Sequence, residues 1–262
     1  MAKKVGNKWY FFFKYILIGP WLWVWNRPRH SGFDKLPDEG PVILASNHLS
    51  VMDSFFLPLV LKRELTFLAK KEYFTGTGIK GAVQRFFFHC LNQVPIDRTS
   101  GDAAKDALNA GLKVLARGEV LGMYPEGTRS HDGRLYKGKT GLARVALNSG
   151  AKVYPLAMFD SEKANPIGTW VPRPVKVGLL IGDPLDPADY RDRGDEYHCA
   201  RAMTDDLMAT LQQMSGQTYV AAYSADVKNS LAAGEGYPEG AEPGGELETP
   251  PPPGAGSFWT KR

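Results

Sequence analysis

Between residues 41 and 181 the chain alternates short apolar runs of strand type with segments of helical periodicity, and this alternation restricts the fold more than any other feature. Residues 41–46, 65–69, 93–96, 120–124, 152–159 and 175–181 read as strands, several of them apolar throughout, as in a sheet covered on both faces. Helices are expected over 52–62, 78–90, 101–117, 141–149 and 196–214. In the third of these Ala104, Leu108, Leu112 and Leu115 recur at helical spacing before Gly118. The pattern implies an α/β fold, a central mostly mixed β-sheet flanked by helices. With 262 residues, the chain is long enough to bury one sizeable core.

The two ends differ from this body. Residues 9–25 hold four of the six tryptophans, with three phenylalanines and two tyrosines, interrupted by Lys14 and by Gly19-Pro20. No small-residue cleavage site follows at Trp23-Val24-Trp25-Asn26, so a signal peptide fits poorly. A spanning helix needs about 20 apolar residues. The reading that fits best is two short helical pieces bent at Gly19-Pro20 and lying in a membrane interface. Indoles would sit at headgroup level and basic side chains would meet anionic lipid; a buried core helix and a true span stay open. Residues 1–30 carry six Lys/Arg and no Asp or Glu, so the net charge of +4 resides at the N-terminus. That distribution argues against a general nucleic-acid surface. Residues 234–256 contain seven Gly, six Pro and five Glu. Such composition predicts a disordered acidic tail over 226–262, which leaves a membrane-docking segment at 1–30 and a folded domain at 31–225.

Chemistry gathers where strands end. Asn47-His48 follows the first strand, and Asp53 lies five residues beyond the histidine. On one regular helix that spacing is about 500°, roughly 140° off the starting face. The two side chains meet if His48 sits in the turn and Asp53 in the first turn of the next helix. The carboxylate would then take the Nδ1 proton and leave Nε2 free as a base. A second cluster, Tyr124-Pro125-Glu126-Gly127-Thr128-Arg129-Ser130, pairs an arginine with a flexible backbone, which suits an anion such as phosphate. Arg98 follows the short strand at 93–96. Read without context, each piece is equally compatible with structural roles. Neither Cys90 nor Cys199 has metal or redox spacing. His30, His89, His131 and His198 are scattered, so no metal is expected; His131 is the one nearest the anion cluster.

In combination these blocks resemble the glycerolipid acyltransferase family. They are Asn47-His48 with Asp53, Ile96 with Arg98, Pro125-Glu126-Gly127-Thr128-Arg129, and Val153-Tyr154-Pro155-Leu156, in that order over about residues 40–160. They are most similar to the 1-acyl-glycerol-3-phosphate acyltransferase type. The aromatic N-terminus resembles the membrane-docking helices of bacterial members, and residues 67–72 resemble a basic stretch between the first two blocks. Two departures, Pro95 in the second block and Tyr154 before the proline of the fourth, bear on acyl preference more than on the reaction.

The resemblance implies that His48 is the general base and Asp53 its orienting carboxylate. Arg98, Arg129 and the backbone at Gly127 and Thr128 would bind the phosphate, with Lys70 assisting. Glu126 would position the acceptor or anchor the loop, and Pro155 would shape the acyl or donor side. The implied reaction moves an acyl group from acyl-CoA or acyl carrier protein, as co-substrate and with no cofactor, to 1-acyl-glycerol 3-phosphate. It would occur on the cytoplasmic face of a membrane, by direct transfer. Glycerol 3-phosphate or another lysophospholipid as acceptor stays open, as does a non-catalytic lipid-binding protein on the same fold. A hydrolase is disfavoured because no Gly-x-Ser-x-Gly motif occurs.

Overall fold

The computed structural model of the chain describes residues 7–96, 103–169 and 171–259. The described chain begins with α1 (Lys8–Phe12), a π-helical turn (Phe13–Leu17) and α2 (Gly19–Trp25). Strand β1 (Arg29–Ser31) leads to β2 (Val42–Ser46), α3 (Asp53–Val60) and β3 (Leu65–Lys70). Next come α4 (Glu72–Thr75), α5 (Gly78–Cys90), β4 (Gln93–Ile96) and α6 (Ala103–Ala116). Strand β5 (Val120–Met123) is followed by β6 (Leu135–Tyr136), α7 (Gly141–Ser149), β7 (Val153–Phe159) and α8 (Ser161–Ala164). The chain continues through β8 (Gly178–Ile181), α9 (Glu196–Ser215), β9 (Tyr219–Val220), α10 (Ser224–Ala233) and β10 (Glu248–Thr249).

The main sheet has the order β1-β8-β7-β2-β5-β3-β4. Every neighbouring pair is parallel except β7–β8, so the sheet is mixed as expected. Strand β2 lies at its centre with all five residues buried. Alternation along β2 feeds two cores. Val42 and Leu44 join Phe56, Leu57, Phe67 and Leu156 beneath α3. Ile43 and Ala45 join Val114, Leu142, Met203 and Leu207 beneath α6, α7 and α9. Each of the larger side chains so buried stabilises the fold by about 1.5–3 kcal/mol relative to exposure.

The N-terminus consists of short helical pieces that meet next to Gly19-Pro20. The chain bends at Ile18, before Gly19-Pro20, because Pro20 has no N–H to continue the ladder of the preceding turn. One side of this bent element is core, since Tyr10 and Leu22 are buried. The other displays Trp9, Tyr15, Ile16, Leu17, Trp23 and Val24, the last 78% exposed. Lys14 departs from the expectation that the basic residues of this segment face outward. It is buried and donates to the Leu61 carbonyl, and burial lowers its ammonium pKa to about 8. Among the described residues no helix is long and apolar enough to cross a membrane.

The predicted disordered tail is corrected by the structure, which orders this segment as far as Trp259. The boundary at 225 falls inside α10, and β10 pairs antiparallel with β9, which pairs parallel with β6. Val220, Val227 and Ala241 are buried around Tyr136, with Leu231, Tyr237 and Leu247 packed against them. Sparse apolar residues suffice here because each lands on a wall the main domain already supplies. Glycines and prolines form the turns between them. Farther on, Phe258 stacks on Phe159 and the Trp259 indole donates to Asp160.

Candidate active site

Strands β2, β3, β4, β5 and β7 run in the same direction, so their carboxyl ends share one edge of the sheet. In open α/β sheets that edge is where ligands bind. His48 lies two residues past the end of β2, and Asp53 begins α3, the turn-to-helix placement that their spacing required. His48 Nδ1 lies 3.0 Å from Asp53 Oδ2. That same oxygen accepts the backbone N–H groups of Leu49 (2.8 Å) and Ser50 (2.9 Å). These contacts satisfy one oxygen of a carboxylate that is fully buried at the first turn of a helix, while its Oδ1 is buried without a hydrogen-bond partner among the described residues. A carboxylate opposite Nδ1 favours the tautomer with its proton on that nitrogen, a geometry in which Nε2 can accept a proton. The ring is 15% exposed.

The second cluster is tied to the first by backbone and carboxylate together. Ser130 N–H donates to the His48 carbonyl at 2.8 Å. Glu126 is fully buried; its Oε1 accepts His48 N–H at 3.1 Å and its Oε2 accepts Tyr136 N–H at 3.0 Å. Burial pushes this carboxyl up to about 8, the two N–H bonds opposing. Gly127 closes the turn by donating to the Tyr124 carbonyl at 3.0 Å, with a left-handed φ of 75° that favours glycine. The Lys139 side chain runs alongside, its Cδ 3.3 Å from where a Gly127 Cβ would stand. Thr128 and Arg129 follow, both half-buried. The assembly is an aspartate-partnered imidazole and an arginine-bearing turn held in fixed relation at the end of two neighbouring strands.

A family model described as Acyltransferase matches residues 27–159, just over half of the chain. The chain belongs to the acyltransferase family. Among curated relatives, it is 28% identical over 200 residues to a 1-acyl-sn-glycerol-3-phosphate acyltransferase of Limnanthes douglasii, covering 75% of this chain and 67% of that protein. A Bacillus subtilis (strain 168) protein of the same name is 26% identical over 186 residues, covering 70% of this chain and 86% of that one. A chloroplastic Arabidopsis thaliana protein of that name is 32% identical over 140 residues, with 53% of this chain spanning only 38% of its length. Among solved structures, the 1-acyl-sn-glycerophosphate acyltransferase of Thermotoga maritima superposes with a TM-score of 0.58. It is 24% identical, covers 74% of this chain and 75% of its own, and speaks to the fold.

Within this acyltransferase the residues marked by sequence divide. His48, Asp53, Glu126, Gly127, Thr128 and Arg129 lie in two segments that hydrogen bonds join directly. Of the two roles left open for Glu126, its contacts are those of a loop anchor, because both of its oxygens are taken up by backbone N–H groups in a fully buried position. Lys70 ends β3 on the same edge, its backbone paired with Ile96; Arg98 lies outside the described residues. Pro155 sits in the interior of β7, opposite Ala45 and buried, four residues before the strand end. His131 joins Tyr136 and Asp132 in a polar network, and burial lowers its pKa.

Three residues were missed by sequence reasoning. Tyr124 reads as the last residue of a strand, yet its ring lies flat against the imidazole of His48. Its hydroxyl meets Ser54 Oγ at 3.0 Å, and burial, aided by the Asp53 charge, raises the phenol pKa well above its ordinary value. Asn47 grips Met158 with both ends of its carboxamide, accepting N–H at 2.7 Å and donating to the carbonyl at 3.1 Å. Gln217, far along the chain, completes that contact. Tyr124 and Asn47 stood within the polar segments marked by the sequence, without an assigned contact, whereas Gln217 carried no signal.

Proposed function

We propose that this chain is an O-acyltransferase that carries a fatty acyl group from an acyl thioester, acyl-CoA or acyl carrier protein, to the free hydroxyl of 1-acyl-glycerol 3-phosphate, giving phosphatidate. The observation that carries the reading is the His48–Asp53 pair joined through Ser130 and Glu126 to the arginine-bearing turn. The names of the relatives support the choice of acceptor.

The reaction begins with the acceptor phosphate held by Arg129 and the backbone N–H groups at Gly127 and Thr128, with Arg98 and Lys70 contributing charge. This fixes the hydroxyl near His48 Nε2 and converts a bimolecular encounter into a positioned one. Nε2 takes the hydroxyl proton as the oxygen attacks the thioester carbonyl, forming a tetrahedral intermediate. Asp53 stabilises the resulting imidazolium. Collapse breaks the carbon–sulfur bond, and the imidazolium returns its proton to the departing thiolate. Protons and electrons balance without a covalent enzyme intermediate. General-base assistance of this kind is worth about 10²–10⁴ in rate, or roughly 3–5 kcal/mol of barrier.

The exposed aromatic side of α1 and α2 is the membrane contact in this reading. Lys8, Arg27 and Arg29 are exposed beside it and suit anionic headgroups. The test supplies labelled acyl-CoA with 1-acyl-glycerol 3-phosphate, glycerol 3-phosphate or a lysophospholipid lacking a terminal phosphate. Labelled phosphatidate from the first alone is expected. Product from glycerol 3-phosphate alone, or from none of them with either thioester donor, overturns the assignment.

A further inference from the structure

The arginine-bearing turn has two halves with different supports. Its inner half is fixed by the main domain through Glu126 and Ser130. The outer half meets residues 217–248, which lie beyond the region matched by the family model. Gln217 follows α9 and bridges the two functional segments with one carboxamide. Its Oε1 accepts Asn47 Nδ2 at 2.7 Å, and its Nε2 donates to the Gly133 carbonyl at 2.7 Å. Asn47 directly precedes His48, while Gly133 closes the loop that begins at Glu126. Ser224 Oγ donates to the Arg129 carbonyl at 3.3 Å. Past the loop, Arg134 Nη1 pairs with Glu248 Oε1 at 2.5 Å and Nη2 donates to the Ala241 carbonyl at 2.9 Å.

We infer that residues 217–248 are a strap that sets the position of the Arg129 loop relative to His48, with Gln217 as the positioning residue. The inference rests on the proposed function for its kinetic consequence, though not for its geometry. Glycine permits the loop to adopt its conformation but does not hold it there: Gly127 and Gly133 both have positive φ, 75° and 83°. Backbone amides bind an anion only when they converge, and a long arginine side chain is useful only when its backbone is fixed. Hydrogen bonds to two backbone carbonyls of this loop, at Arg129 and Gly133, come from the strap. Gln217 touches no reacting atom in this account. It acts through the loop, and so its loss should weaken acceptor binding rather than chemistry.

The test compares wild type with Gln217→Leu, which keeps volume and removes both hydrogen bonds, and Gln217→Glu, which keeps the Asn47 contact and loses the donor to Gly133. In full-length protein without substrate, hydrogen exchange at the amides of residues 127–134 should quicken while protection in β2, β5 and β7 is unchanged. KM for 1-acyl-glycerol 3-phosphate should rise about tenfold in both variants, with KM for acyl-CoA and kcat within about twofold of wild type. Unchanged exchange and KM overturn the inference, as does exchange that quickens equally throughout the sheet, which marks a structural role alone. If Gln217→Leu does not fold, Ser224→Ala removes the Arg129 carbonyl contact and carries the same readouts. Should wild type fail to acylate this acceptor, the proposed function falls and the exchange measurement alone decides the strap.

Discussion

The imidazole of His48 lies parallel to the ring of Tyr124, with centroids 3.7 Å apart and planes inclined by 10°. Phe67 backs the tyrosine in turn, at 5.6 Å and 8°. A hydrogen bond to Asp53 fixes where Nδ1 points but leaves the ring free to rock about it. The stacked face removes that freedom, so the aspartate and the tyrosine constrain the imidazole along different axes. Stacking of aromatic rings is worth about 0.5–1.5 kcal/mol beyond burial. Tyr124→Leu is therefore expected to lower kcat by up to about tenfold. Tyr124→Phe, which loses only the contact to Ser54, should stay within about threefold. Steady-state kinetics on both variants checks this, with melting curves to show that each is folded.

Glu126 gives the fold a pH dependence of predictable sign. Its carboxyl is raised from 4.5 to about 8 by burial. Below the unfolded value both states are protonated and the group is neutral in the balance. Above it the unfolded chain ionises first, so the folded state binds more protons and stability falls as pH rises towards 8. Subtracting the melting profile of Glu126→Gln from that of wild type should leave a difference that declines between about pH 5 and pH 8. A difference that rises over this range contradicts the assignment. Glutamine supplies one acceptor oxygen where two N–H groups need satisfying, so the variant should lose about 1–3 kcal/mol at low pH.

The bent N-terminal element should separate into two functions by mutation. Leu22 is fully buried against the core, and Leu22→Ala is expected to destabilise the protein by about 2–5 kcal/mol. Trp23 and Val24 are exposed, so replacing both with serine should leave the melting temperature within error. The same double variant should bind vesicles containing anionic lipid more weakly, as a co-sedimentation assay would show. Unchanged vesicle binding removes this surface from its proposed role.

Direct transfer predicts that no acyl group is ever attached to the chain. Incubation with acyl-CoA in the absence of acceptor, followed by denaturation and intact-mass measurement, should return the unmodified mass. An adduct of one acyl group would require a nucleophile that the proposed mechanism does not contain.

The meeting of His48 and Asp53 was legible in the sequence because both positions are set locally, one by the end of a buried strand and the other by the start of a helix. The arginine-bearing turn was legible for the same reason. Glu126 was legible only as one of two roles, since its partners are backbone N–H groups whose positions follow from tertiary structure alone. Strands β6, β9 and β10 are two residues long each and carry no period to read. Their pairing depends on Tyr136 and Arg134 presenting a surface to residues about a hundred positions away. The tail was misread for a related reason. Its Gly, Pro and Glu content describes an isolated segment, whereas Val227, Ala241 and Leu247 pack on a wall supplied by the rest of the chain. Lys14 likewise shows nothing in sequence that separates a basic residue facing solvent from one capping the carbonyl of Leu61.

The central claim is that the His48 imidazole, oriented by Asp53, removes the proton from the acceptor hydroxyl. It is tested most directly by kcat for 1-acyl-glycerol 3-phosphate in His48→Ala at saturating acyl-CoA, with acceptor KM measured alongside. The account predicts a fall in kcat of about 10²–10⁴ with acceptor KM nearly unchanged, because the phosphate is held elsewhere. Turnover at the wild-type rate in a folded variant would contradict it.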